Sequence, residues 1–123
     1  MTERPHKRLD AWRHAMELVE MTYEMTRKFA KTEQFGLTGQ MRRAAVSIPT
    51  NIAEGAARQT VKEALQFYFI ARGSLSELDT LTELSCRVGV ASKDESEQLS
   101  REMGRVSSLL QGLITHNQGR PER

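Results

Sequence analysis

The sequence predicts an all-α protein: an antiparallel up-down-up-down four-helix bundle with helices at about 9–30, 36–58, 61–89 and 93–117. Three observations carry that prediction. Apolar residues recur at 3,4 spacing in four successive stretches, as amphipathic helices require. Two connections end in the Ser/Thr-x-x-Glu pattern that starts a helix, Thr60–Glu63 and Ser92–Glu95. No alternating apolar and polar run bounded by turn residues occurs, so no strand is expected. Four helices joined by short loops pack as antiparallel neighbours.

A chain of 123 residues suits one domain, placed at 9–117, with a flexible basic arm at 1–8 and a disordered polar tail at 118–123. Hydrophobic residues at 38% and charged residues at 28% lie in the ordinary globular range and exclude wholesale disorder. The formal net charge is +2 and the isoelectric point about 8.9. That is compatible with an anionic partner, though milder than a dedicated nucleic-acid binder. The single cysteine, Cys86, excludes a disulfide framework and a cysteine-based zinc site, and is expected to be a small buried hydrophobe. MTERPHKRLD lacks the apolar region of a signal peptide, and no window approaches 18 uninterrupted apolar residues. The expectation is a cytoplasmic protein with no membrane partner.

Helix one opens at Leu9 with two adjacent stripes. Leu9, Trp12, Met16, Val19, Tyr23 and Thr26 form one; Ala11, Ala15, Leu18, Thr22, Met25 and Phe29 form the other. Asp10 can cap or charge the start, and Lys28 and Lys31 suit the negative end of the dipole. Together the stripes are wider than one core contact needs. Either the helix is deeply buried or one stripe meets another subunit.

KTEQFG, residues 31–36, connects to helix two, whose inner face is Leu37, Met41, Ala44, Ala45, Ile48, Ile52 and Gly55. Thr60-Val61-Lys62-Glu63 then reads as a capping box in which the Thr60 hydroxyl takes the Glu63 amide and Glu63 reaches back. Helix three follows on Val61, Ala64, Tyr68, Ala71, Leu75, Leu78, Thr82 and Ser85, and Gly89 stops it. Ser92-Lys93-Asp94-Glu95 launches helix four on Leu99, Met103, Val106, Leu110, Leu113 and Asn117. Gly73-Ser74 interrupts the bulky helix three and is the expected point of close helix approach.

Pro49 sits inside helix two, where it removes the hydrogen bond to the Ala45 carbonyl and bends the helix. Ser47, Thr50 and Asn51 surround the break and can supply a donor. A polar stripe runs Arg43, Ser47, Asn51, Glu54, Arg58, with Glu54 four residues before Arg58 in the favourable order for an ion pair. It is either the solvated face of an amphipathic helix or, with Ser47, Pro49, Asn51 and Glu54, the lining of an intersubunit seam or channel.

Catalytic signatures are absent. There is no Walker loop, dinucleotide fingerprint or nucleophile elbow. His6, His14 and His116 form no His-x-x-x-His pair, and the only Glu-x-x-His joins Glu3 to His6 in the arm, so a di-iron bundle is excluded. Glu77, Asp79 and Glu83 read as solvated face. No enzyme activity, metal or cofactor is expected. Basic residues are better placed: between positions 42 and 62, Arg42, Arg43, Arg58 and Lys62 stand against Glu54 alone, and Arg72 follows. Repeated around a ring, that patch would engage phosphates.

Leu9-x-x-Trp12, Phe35-Gly36-Leu37-Thr38, the string Gln40-Met41-Arg42-Arg43-Ala44-Ala45-Val46-Ser47-Ile48-Pro49-Thr50-Asn51-Ile52-Ala53-Glu54-Gly55, and Gly73-Ser74-Leu75-Ser76-Glu77-Leu78 carry a family resemblance. Over residues 8–117 the chain resembles the bacterial four-helix bundle proteins encoded by intervening sequences in 23S ribosomal RNA genes, and their free-standing relatives. The resemblance implies a homopentameric ring with a central channel. Accessory proteins of diversity-generating retroelements, more distantly similar, bind nucleic acid and a reverse transcriptase. Two positions depart from the pattern: Gly39 where serine is common, and Ala56 where an aromatic is common.

The reading that results is a non-enzymatic homo-oligomer, pentameric by resemblance. It contacts RNA or DNA phosphates through Arg42, Arg43, Arg58, Lys62 and Arg72. The alternative is a structural or adaptor ring whose partner is a protein.

Overall fold

The computed structural model describes residues 4–121. Among these the protein is all-α, with four α-helices and no strand: α1 (Asp10–Thr26), α2 (Gly39–Ala56), α3 (Val61–Arg87) and α4 (Lys93–Gln118). Each helix packs against two others, α1 on α2 and α4, and α3 on α2 and α4. One continuous core draws on all four, centred on the fully buried Leu18, Met41, Ile48, Ile52, Leu78, Leu99, Leu110 and Ile114. Each such side chain contributes about 1.5–3 kcal/mol by leaving water. No helix among the described residues is long and apolar enough to cross a membrane.

Side-chain pairs give the level of each contact. Arg42 near the start of α2 bonds Thr26 at the end of α1. Ser85 near the end of α3 meets Met41 near the start of α2. Lys28, just past α1, reaches Glu95 in the first turn of α4, while His14 in the first half of α1 reaches Glu102 further along α4.

Helix α1 starts one residue later than the 9–30 expectation and ends four earlier. Leu9 is extended, and Asp10 makes no capping bond; it forms a 3.5 Å ion pair with Arg13 instead. At the other end the Thr22 and Thr26 hydroxyls donate back to the Leu18 and Thr22 carbonyls at 2.8 and 2.7 Å. Such bonds weaken helix continuation, and the Phe29 amide closes a tight turn on the Thr26 carbonyl at 3.0 Å. Of the two apolar stripes, Ala11, Ala15, Leu18, Thr22 and Met25 are buried. Trp12, Val19 and Tyr23 are only half-buried, and Met16 is 41% exposed.

Helix α2 begins at Gly39 rather than 36, because Gln34–Thr38 forms a wide π-type turn that breaks at Gly36 (φ −98°, ψ −114°). A side chain at Gly39 would place its Cβ 2.8 Å from the Gln34 carbonyl oxygen, which explains glycine where the resemblance leads one to expect serine. Its end at Ala56 falls two residues short of 58. Of the inner face, Met41, Ala44, Ala45, Ile48, Ile52 and Gly55 are buried, while Leu37 precedes α2 and is half-buried.

Helix α3 buries the whole stripe from Val61 to Ser85. Its cap is half of what the motif promised. The Glu63 amide donates to Thr60 Oγ1 at 3.1 Å, but among the described bonds Glu63 makes no return contact. The helix ends at Arg87, short of 89, since Gly89 takes φ +80° and lets the Val90 and Ala91 amides fold back onto the Ser85 carbonyl at 2.9 and 3.0 Å. Helix α4 has the complete capping box: Glu95 N–H donates to Ser92 Oγ at 3.1 Å, and Ser92 N–H donates to Glu95 Oε1 at 3.2 Å. It runs one residue past 117, and Ile114 is fully buried where Leu113 is only half so.

Two packing expectations are corrected. Gly73 has open space where its Cβ would be; the close approach is made by Gly55, 2.5 Å from Tyr68 Cε1 on the same construction. Cys86 is half-exposed because it falls beside, not on, the Ser85 face. Residues 1–3 of the arm and 122–123 of the tail lie outside the described residues. Pro5–Arg8 makes a single 3-10 turn, with the His6 ring edge-on to Trp12 at 5.0 Å and the Lys7 carbonyl accepting from Arg13 Nε at 3.0 Å.

Candidate functional site

Helix α2 presents different chemistry to its two neighbours. Toward α3, Ser47 and Ser74 hydroxyls are hydrogen-bonded at 2.8 Å. Asn51 Nδ2 donates to the Ser47 carbonyl at 2.8 Å and to Ser47 Oγ at 3.0 Å. The Thr50 hydroxyl takes the Val46 carbonyl at 2.7 Å. These bonds go to Val46 and Ser47 rather than to the Ala45 carbonyl expected to need them.

One turn on, Arg58 Nη2 meets Glu54 Oε2 at 2.7 Å, the predicted ion pair, and stacks 4.5 Å from the Phe67 ring centre. Both partners are substantially exposed, so the pair contributes a few tenths of a kcal/mol.

Toward α1, Pro49 is buried and lines an open groove of about 580 Å³. Trp12, Met16 and Val19 line it from α1, and Val46, Pro49 and Ala53 from α2; Arg4, Pro5 and His6 line it too. The grouping of Ser47, Pro49, Asn51 and Glu54 into one seam therefore divides. Ser47 is engaged with Ser74 of α3 and Asn51 with Ser47 of its own helix, whereas Pro49 and Glu54 line the groove on the other side. Sequence periodicity held the signal, since Pro49 is two residues from both Ser47 and Asn51, which is half a helical turn.

The five basic residues do not converge. Arg42 is half-buried, donating to Thr26 Oγ1 at 2.9 Å with its guanidinium 4.4 Å from the Tyr23 ring centre, so it clamps α1 to α2. Arg43 and Lys62 are exposed. Arg43 stands roughly 20 Å along α2 from Ala56, at 1.5 Å per residue, and Arg58 lies beyond that end. Arg72 turns away to α4, donating to Gln111 Oε1 at 3.3 Å and lying 4.9 Å from the Phe69 ring centre. Nothing among the described residues places a general base beside the Ser47 hydroxyl; its partners are Ser74 and Asn51.

Groups with shifted acidity lie away from both faces. Burial pushes the Tyr68 hydroxyl up, opposed by the Arg120 charge. The Ser92 amide, then the Ser92 hydroxyl, hold the Glu95 carboxyl below its ordinary value, with Lys28 adding a smaller pull. Both are consequences of packing and capping.

The sequence reading passed over one cluster. His14 Nδ1 lies 3.4 Å from Glu17 Oε2 on α1 and 3.3 Å from Glu102 Oε1 on α4. Half the signal, His14-x-x-Glu17, was in one helix. The other half is 88 positions away in the chain, beyond the reach of local spacing.

Comparison with known proteins agrees with this architecture. The profile of the family described as 23S rRNA-intervening sequence protein matches residues 7–112. A crystal structure at 1.70 Å of a protein of unknown function from the S23 ribosomal protein family of Bacteroides thetaiotaomicron VPI-5482 is similar in fold, with a TM-score of 0.70 and 20% identity. The similarity covers 85% of this chain and 94% of that one. No curated protein matches the chain.

Proposed function

Because the chain belongs to the 23S rRNA-intervening sequence protein family, we propose that it is a non-enzymatic, cytoplasmic protein that assembles with copies of itself and presents a basic outer surface to RNA or DNA. The observation that carries the first half is the apolar groove between α1 and α2. Trp12, Val19 and Ala53 are half-buried there, and Met16 and Val46 are each 41% exposed. Apolar surface in one contiguous groove, rather than scattered, marks an interaction site. A pentameric ring is the assembly the family resemblance suggests. The level of each helix contact supports an antiparallel up-down-up-down order.

For the second half, Arg43 and Lys62 are the best-placed phosphate contacts, with Arg58 and Arg72 exposed beside the Phe67 and Phe69 rings. Repetition around a ring would gather what one subunit spreads out. Low-salt binding to RNA and DNA oligonucleotides tests it. If Arg43→Ala combined with Arg58→Ala leaves the affinity unchanged, this surface is not the nucleic-acid site.

The rival reading is an adaptor ring for a protein partner. The intramolecular engagement of Arg42, Arg58 and Arg72 favours it. A nuclease-treated pull-down that still recovers one stoichiometric protein would decide for it.

A further inference from the structure

We propose that His14, Glu17 and Glu102 form a binding site for a first-row divalent transition cation such as Zn²⁺, joining α1 to α4. Three observations point there together. First, the spacing is that of a coordination sphere. His14 Nδ1 is 3.4 Å from Glu17 Oε2 and 3.3 Å from Glu102 Oε1, and the three donor atoms lie within 4.8 Å of one another. A tetrahedral site with metal–ligand bonds of 2.0–2.1 Å has donor–donor edges of about 3.3–3.4 Å.

Second, hydrogen bonding alone leaves the cluster unsatisfied. A ring nitrogen carries at most one hydrogen, so Nδ1 can donate to one carboxylate and not to both. The described ion pairs of Glu17 and Glu102 are with His14 alone. Two carboxylates therefore face one imidazole, with no Lys or Arg of the described residues paired to either.

Third, the site is built into the bundle rather than carried on a loop. All three ligands sit inside α1 or α4, and the Glu102 side chain is only 13% exposed. The i,i+3 spacing of His14 and Glu17 puts both on one face of α1. One imidazole and two carboxylates, without thiolate, suit Zn²⁺, Co²⁺ or Ni²⁺ better than a soft Cu(I) site or an all-oxygen Ca²⁺ cage. Three protein ligands leave a fourth position for water.

Co²⁺ titration of the full chain, followed by Zn²⁺ competition, reads the site directly. The expected result is a visible absorption band saturating at one Co²⁺ per chain and displaced by Zn²⁺. At a hundredfold excess of metal over Kd, thermal unfolding should rise by on the order of 10 °C. His14→Ala and the near-isosteric Glu102→Gln should each weaken binding by more than the roughly tenfold that even outer-sphere partners cost. Glu102→Gln keeps shape and a hydrogen-bonding atom beside His14, so it serves if His14→Ala misfolds. No band and no thermal shift at millimolar metal would overturn the proposal. So would binding that persists in Glu102→Gln.

Discussion

Gly55 of α2 faces Tyr68 of α3 so closely that a Cβ at position 55 would sit 2.5 Å from Tyr68 Cε1 and 3.0 Å from the Ala64 carbonyl oxygen. The Tyr68 ring packs directly on the α2 backbone there, at the end of α2 opposite the Ser85–Met41 contact. Gly55→Ala gains about 1 kcal/mol in helix propensity but must displace a buried ring, which overpacking data put at 1–3 kcal/mol. The displacement wins: the variant should unfold at lower urea. Gly73, Gly104 and Gly112 have open space instead. Alanine at each should stabilise by about 0.5–1 kcal/mol, measured in the same titration.

The Ser47–Ser74 bond couples α2 to α3 beside the proline. A double-mutant cycle with Ser47→Ala and Ser74→Ala should show a coupling energy of about 0.5–1.5 kcal/mol. Additive single effects would mean the hydroxyls are better served by water.

Much of this was legible beforehand, and the misses share a cause. Stripes on α2 and α3 were readable because each residue's burial follows from its own 3.6-residue phase. The Ser92 cap was readable in full and the Thr60 cap in its first half, the Glu63 amide on Thr60 Oγ1, because both partners lie within one turn. What failed needed a partner from another helix. Arg42 is drawn off by Thr26 and Tyr23, Arg72 by Gln111, and His14 by Glu102. Gly73 looked like a contact because its neighbours are bulky, yet it faces solvent. Choosing which of two stripes on α1 is buried also required the fold, since both have helical spacing.

Arg42 should therefore behave as a structural residue. Arg42→Ala loses a hydrogen bond and a cation–ring contact between α1 and α2, and should destabilise by about 1–2 kcal/mol. Arg43→Ala, exposed on the next position, should leave thermal stability within about 0.5 kcal/mol. If Arg43 and Lys62 bind phosphates, replacing either should lower the slope of log affinity against log salt by close to one.

The α4 cap should give an acid-sensitive term. Glu95 has a lowered folded pKa, so its contribution is complete above the ordinary carboxylate value of 4.5 and is lost as pH falls through the folded value. The stability gap between wild type and Glu95→Ala should be about 1 kcal/mol at pH 7 and shrink by pH 3. A gap that stays constant would contradict it.

Self-assembly through the α1–α2 groove is the central claim, and mass in solution tests it most directly. Sedimentation equilibrium should give a multiple of the 14.0 kDa chain mass, fivefold if the ring is a pentamer. Val46→Glu, a surface change in the groove wall, should shift that mass toward 14.0 kDa while leaving the helical spectrum intact. A wild-type chain that stays at 14.0 kDa throughout the micromolar range, or an assembly indifferent to Val46→Glu, would contradict the account.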